Sequence, residues 1–278
     1  MTHSHFTAMA RAELTAVFGG SAGRGALAVS LAIGIVSVAM MMWFSNNMTP
    51  GIEDTTTEQF IQLSGANCAG WALWARHQLL ILPLLILLAT GSCLAGEIQN
   101  HTIREALVRP VSRWSVIAAK LVALLSLSIV SLSLTLAPSF SLGCLFFGTQ
   151  GPNIDLLLGY LASVGTDLGL ICFGLLASTF VRSVGGVIVS VIMVIIVDTT
   201  ARLLLWVTNQ VQDFLVAAQG GTPSAASMDY ALFLPGSSLD CWKGWNNAWA
   251  WEPFCGLTIL VTLCITLTLV RFYRMDIP

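Results

Sequence analysis

Polar chemistry in this chain is concentrated in one short segment. Glu97, His101, Thr102, Arg104, Glu105, Arg109 and Arg113 all fall within residues 96–114, the most charged stretch of a sequence that is only 9% charged. Ile98, Ile103, Ala106 and Leu107 form a partial apolar stripe, which leaves Arg104 and Glu105 able to face water. Pro110 ends the helix by restricting Arg109. A short amphipathic helix between long apolar runs is suited to dock on a soluble partner and pass motion into a membrane. A solvated connector is the plainer reading of the same residues.

Three further charges sit inside apolar runs. Asp167 falls near the middle of one; Asp198 and Arg202, four residues apart, share a helix face in the next and can pair. A charge in hydrocarbon costs on the order of 2.5–3.5 kcal/mol on insertion scales, so such residues face a bundle interior or a wet cavity. One reading makes them a polar lining for a translocation path. The other makes Asp198–Arg202 an ion pair fixing the fourth span against the fifth, and this is preferred for that pair; both stand for Asp167. Gly165-Thr-Asp-Leu-Gly169 lets neighbouring helices approach closely.

The seven cysteines contain no Cys-x-x-Cys, and no metal site is expected. Cys93, Cys144, Cys172 and Cys264 fall in spans, where free Cys behaves as a small hydrophobe. On an oxidising side Cys68 can pair with Cys241 or Cys255; unpaired thiols are the alternative. The two lysines, Lys120 and Lys243, do not follow Gly, so a Walker A loop cannot be formed. No hydrolase or metalloprotease motif occurs either. Catalysis by this chain is not expected, and any ATP hydrolysis must come from another polypeptide.

The elements that position these residues are membrane helices. The chain has 278 residues, is 56% hydrophobic and has a net charge of -2. Its mean hydropathy is +0.82. Helices need about 20 apolar residues to cross the bilayer, and six such runs occur at about 25–45, 78–95, 115–138, 155–180, 184–207 and 254–271. The third can run on to Phe147, because Pro138 and Gly143 kink rather than end it. The fold class is therefore an all-α integral membrane protein, one transmembrane domain over residues 1–278. With both termini cytoplasmic, nine basic residues lie inside, and only Arg76, Arg202 and Lys243 lie outside. Arg76 and His77 then mark the outer headgroup boundary, and Trp114 and Lys120 are interfacial anchors on the inner side. Residues 1–24 form an amphipathic N-terminal segment with Phe6, Met9, Ala10, Leu14 and Val17 on one side. Outer segments run over 46–77 and 208–253; in the latter Trp242, Trp245 and Trp249 recur at helical spacing, as in a helix lying flat in the outer interface.

Glu97, Thr102, Arg104, Leu107, Arg109-Pro110-Val111-Ser112-Arg113 and Lys120 resemble the cytoplasmic signature of ABC type-2 permeases. That signature reads roughly Glu, Gly-Thr-Leu, Leu, Pro-Val-Ser-Arg and a downstream Lys. The chain departs from it at His101, where the family usually has Gly. The resemblance implies a coupling helix between the second and third spans, docked through Glu97, His101, Thr102, Arg104, Glu105, Arg109 and Arg113 into a separate ATPase subunit. It implies two such ATPases, which bind ATP and Mg, and a second copy or paralogue of this chain. The whole would be an exporter in the cytoplasmic (inner) membrane of a prokaryote. Within that family, a second likeness is to the membrane subunit of the nitrous-oxide-reductase maturation transporter, resting on an Asp in the fifth span, here Asp198. The large, Trp-rich outer segment motivates a different role, in which the chain passes motion to an extracytoplasmic partner for maturation or assembly without bulk transport.

Overall fold

A computed structural model describes residues 3–48, 64–79, 81–103, 112–148, 154–218 and 251–274. All regular structure among these residues is helical. We label the helices α1 (His3–Gly19), α2 (Ser21–Met48), α3 (Gly65–Gln78), α4 (Ile81–Gln99), α5 (Arg113–Phe147), α6 (Ile154–Phe180), α7 (Val184–Ala218) and α8 (Trp251–Arg274). Six of them, α2 and α4 to α8, are long and apolar enough to cross a membrane.

Local sequence explains the breaks. Ser64 caps α3 by accepting from the Asn67 N–H at 3.2 Å, and Ser112 caps α5 by accepting from the Ser115 N–H at the same distance. Leu79 turns extended after α3. The chain restarts at Ile81, which places Pro83 in the first turn of α4, where a missing N–H costs nothing. A π-helical turn, Ser92–Gly96, then precedes the last turn of α4, Glu97–Gln99. Inside α5, Pro138 leaves the Leu134 carbonyl without its usual donor. Gly34 of α2 meets the helix there: a Cβ on Gly34 would lie 2.5 Å from Thr135 O and 2.8 Å from Pro138 Cγ.

The helices build around α5, which packs against α1, α2, α3 and α6. In an apolar 18-residue stretch of α4 and of α5, 61% of residues are buried; in the corresponding stretch of α7 and α8 the share is 17%, so these two stand at the perimeter. Their outward side chains, such as Val189, Ile196, Leu203, Ile259 and Leu263, are apolar, as lipid contact requires. The main core cluster joins Val17 of α1, Ile86 and Leu94 of α4, Leu124 and Leu127 of α5, Ile171 of α6 and Phe272 of α8. The first of these shows that the amphipathic side of α1 is turned to the bundle, with Leu14 and Phe18 packed beside it; Phe6 stays exposed.

Two boundaries differ from the sequence reading. Residues 65–78, expected within an outer segment, form α3, a buried helix wedged among α2, α5 and α6. Its small residues Gly65, Cys68, Ala69, Gly70 and Ala72 weaken the hydropathy signal yet allow close packing. A Cβ on Gly143 of α5 would lie 2.9 Å from Gly65 Cα. The stretch Val211–Ala218, expected as a separate short helix, continues α7. The third span does reach Phe147. Trp242, Trp245, Trp249 and Cys241 lie outside the described residues.

The close crossing of α3 and α5 gives a stability prediction. Gly143→Leu places side-chain atoms against the α3 backbone and is expected to destabilise by about 1–3 kcal/mol. Gly19→Ala, where a Cβ meets nothing within 4 Å, is expected to leave thermal unfolding in detergent unchanged or slightly raised. Equal melting temperatures for Gly143→Leu and the unaltered protein would contradict the packing.

Candidate functional site

Two buried charge clusters and the segment that begins at Glu97 carry the polar chemistry. The first cluster is centred on Lys120, whose side chain has no solvent exposure. Its Nζ donates to Glu97 Oε1 at 2.6 Å and to Glu13 Oε1 at 2.8 Å. Cys93 Sγ lies 3.9 Å away and is itself 3.7 Å from Glu13 Oε2. An ammonium has three donors, and these three neighbours account for them. The cluster joins α1, the end of α4 and α5. The π-helical turn inserts an extra residue ahead of Glu97 and so sets the rotation that brings its carboxylate to Lys120. A cleft of about 350 Å³ opens beside the cluster, lined in part by Glu13, Gly20, Ser92, Cys93 and Glu97. Lys120 is therefore not an interfacial anchor: its long stem is apolar, but two carboxylates hold its head inside the protein.

From Glu97 the chain continues into the segment expected to dock a partner. Ile98 and Ile103 are buried and fasten it to the core, as the partial apolar stripe suggested. Thr102 Oγ1 reaches back to Glu97 O at 3.4 Å. His101 has φ 59°, a left-handed conformation. This is the position where the resembled signature carries Gly, and a left-handed residue explains that preference. His adopts the conformation at a cost and is among the residues that tolerate it best. Arg104, Glu105 and Arg109 lie outside the described residues, as do Ala106 and Leu107. Arg113, expected among the docking residues, opens α5. Its Nη1 donates to Phe272 O at 2.7 Å and Tyr273 O at 3.0 Å, so it caps the C-terminal end of α8. Both α1 and the end of α8 therefore sit at the end of the bundle that carries this segment.

The second cluster lies deeper. Arg76 is buried, not placed at a headgroup boundary: its Nη2 donates to Asp167 Oδ2 at 2.6 Å and its Nη1 to Ser131 Oγ at 2.7 Å. Ser128 Oγ donates to the same Asp167 oxygen at 2.5 Å, and Ser30 Oγ lies 3.0 Å from Ser131 Oγ. Four helices, α2, α3, α5 and α6, meet at this network. His77, one residue on, is 3.0 Å from Ser163 Oγ on α6. The cause is solvation: a guanidinium among apolar helices is tolerated only beside a fixed counter-charge.

The remaining expectations resolve simply. Asp198 and Arg202 do pair, at 2.9 Å, along α7. Gly165 brings α6 against α8, where its Cβ would lie 2.8 Å from Leu257 Cδ2. Cys68 and Cys255 are free thiols, so the pairing considered between them is not formed; Cys68 is instead packed into the α3–α5 crossing. Sequence reasoning missed Glu13 as a partner of Lys120 and Arg76 as a partner of Asp167. The available signal was an unmatched basic residue within or beside an apolar run, which demands an acid from another helix.

Two predictions follow from the two clusters. Arg76→Met and Asp167→Leu each strand a buried charge and are expected to cost about 3–5 kcal/mol, whereas the double substitution recovers most of it. A double-mutant cycle on thermal unfolding checks this; additive losses would contradict it. His101→Gly relieves the left-handed strain and is expected to stabilise by about 1 kcal/mol, while His101→Val destabilises. Unfolding of both variants under the same conditions reads the sign.

Comparison with known proteins agrees with this architecture. The chain is similar to an uncharacterized membrane protein of Bacillus subtilis (strain 168), YdbK. The two are 28% identical over 176 residues, which is 60% of this chain and 71% of that protein. Residues 24–201, from the start of α2 into α7, match the family described as ABC-2 family transporter protein. The match takes in both buried basic residues, the segment between α4 and α5, and five of the six long apolar helices. This multi-pass membrane protein belongs to the ABC-2 transporter family.

Proposed function

We propose that the chain is the permease subunit of an ATP-driven exporter, working as a dimer with two separate ATPase subunits. Both termini and the segment 96–114 face the cytoplasm in this reading, and the ATPases dock on that segment through Glu97, His101, Thr102, Arg104, Glu105, Arg109 and Arg113. ATP and Mg are bound by the ATPases alone. The observation that carries the proposal is the Lys120 cluster. Glu97 begins the docking segment, and its carboxylate holds the same ammonium as Glu13 of α1. A displacement of the segment is therefore delivered directly to α1 and α5, without slack.

Two other observations support it. The basic residues favour the end of the bundle that carries the docking segment, and Arg113 on the α8 carbonyls links the last span to that same end. In the exporter reading, substrate passes between two membrane subunits, with Asp198 and Arg202 as the polar residues nearest the path; Asp167, held by Arg76 and Ser128 inside one subunit, takes the structural role. A second reading, transmission of motion to an extracytoplasmic protein without bulk transport, is favoured by the long Trp-rich stretch holding Trp242, Trp245 and Trp249.

Charge reversal tests the docking. Arg104→Glu or Arg109→Glu is expected to reduce ATPase retained in pull-down by roughly tenfold or more, with unchanged membrane insertion. Full retention with unaltered ATP turnover in both variants would contradict the docking site. In vesicles, ATPase stimulation by a small amphiphile supports the exporter; stimulation only by an extracytoplasmic protein, without flux, supports the second reading.

A further inference from the structure

A groove separate from both charge clusters opens between α5 and α8, with α6 as its floor. It encloses about 110 Å³ and is lined by residues that include Trp114, Ala118 and Val122 of α5, Leu175 of α6, and Ile265 and Thr268 of α8. The lining is almost wholly apolar, and Trp114 and Val122 at the rim are exposed. At its depth beside two spans, what fills such a slot is an acyl chain. One end of the groove is basic. Arg113 precedes Trp114 and bridges to the Phe272 and Tyr273 carbonyls, which closes the slot at that end. Arg271 is one turn beyond Thr268, with its guanidinium 5.2 Å from the Phe180 ring centre; Arg274 follows and is exposed. The acids described at this end of the bundle, Glu13 and Glu97, are both held by Lys120 rather than by Arg271.

We infer that the α5–α8 groove is a binding site for one anionic phospholipid, its chain along Ala118 and Ile265 and its phosphate at Arg271. A zwitterionic lipid offers the same chain but no net charge for the guanidinium, and a soluble anion offers no chain for the groove. The site lies on the closed side of the Arg113 bridge, so its occupant braces α8 against α5. This inference rests on the membrane-spanning reading but not on the ATPase, so its failure would leave the docking proposal untouched.

The test uses the full chain in nanodiscs of phosphatidylcholine mixed with phosphatidylglycerol, followed by detergent extraction and mass spectrometry of the retained lipid. The unaltered protein is expected to retain phosphatidylglycerol above its share in the disc. Arg271→Gln is expected to reduce that preference about fivefold while neutral lipid is still held. Ala118→Phe fills the groove without touching charge and is expected to abolish retention of both lipids. No preference in the unaltered protein, wild-type retention in Ala118→Phe, or displacement of the lipid by inorganic phosphate would each overturn the inference. Thermal unfolding of both variants confirms that they fold.

Discussion

A buried ammonium with no water must take its counter-charge from the protein, and in this chain that requirement is met at Lys120. Two carboxylates from opposite ends of the N-terminal third, Glu13 and Glu97, converge on one nitrogen. Pulling either helix away would leave a charge in an apolar surround, at a cost of several kcal/mol. So α1, the end of α4 and α5 form one mechanical unit. Residues Glu97 and Lys120 belong to the resembled permease signature, and their direct bond gives a physical reason for both residue types at that spacing. Glu13 completes the cluster from outside the signature.

The Arg76–Asp167 network repeats the logic at another level of the same bundle. It binds α3 to α6 through the inward face of α5, where Ser128 and Ser131 supply the polar contacts. Arg76 and Asp167 leave α5 with serines rather than charges on this seam, which lets the longest core helix stay apolar on its other faces. The centre of the subunit is thus tied at two heights by ion pairs, while α7 and α8 rest at the edge with little burial. In the proposed coupling, motion entering at the segment after Glu97 meets this tied centre first, and α7 and α8 are the helices with the least burial.

Much of this was legible from residue order. Runs of apolar residues predict the six spans, because length against bilayer thickness is a strong constraint; the match between Pro138, Gly143 and an unbroken α5 follows from the tolerance of spans for such residues. The charge density of residues 96–114 marks that segment out, and its docking role is the proposal made for it. The two clusters are not legible in this way, because an ion pair between distant segments has no period. Lys120 reads as a snorkelling anchor and Arg76 as a boundary residue until α1 and α6 are placed beside them. Likewise α3 is too rich in Gly and Ala to register as a buried helix, although that same smallness is what lets it lie on Gly143. His101, where the chain departs from the signature's Gly, leaves the local turn open in the sequence, and the structure gives it the left-handed conformation that Gly favours.

The most direct measurement is ATP turnover and its coupling in the assembled complex carrying Lys120→Met, with Lys120→Arg as the conservative control. If Lys120 links the docking segment to α1 and α5, Lys120→Met still binds the ATPase but loses stimulation of turnover, and Lys120→Arg restores part of it. Wild-type stimulation in a folded Lys120→Met complex would contradict the account.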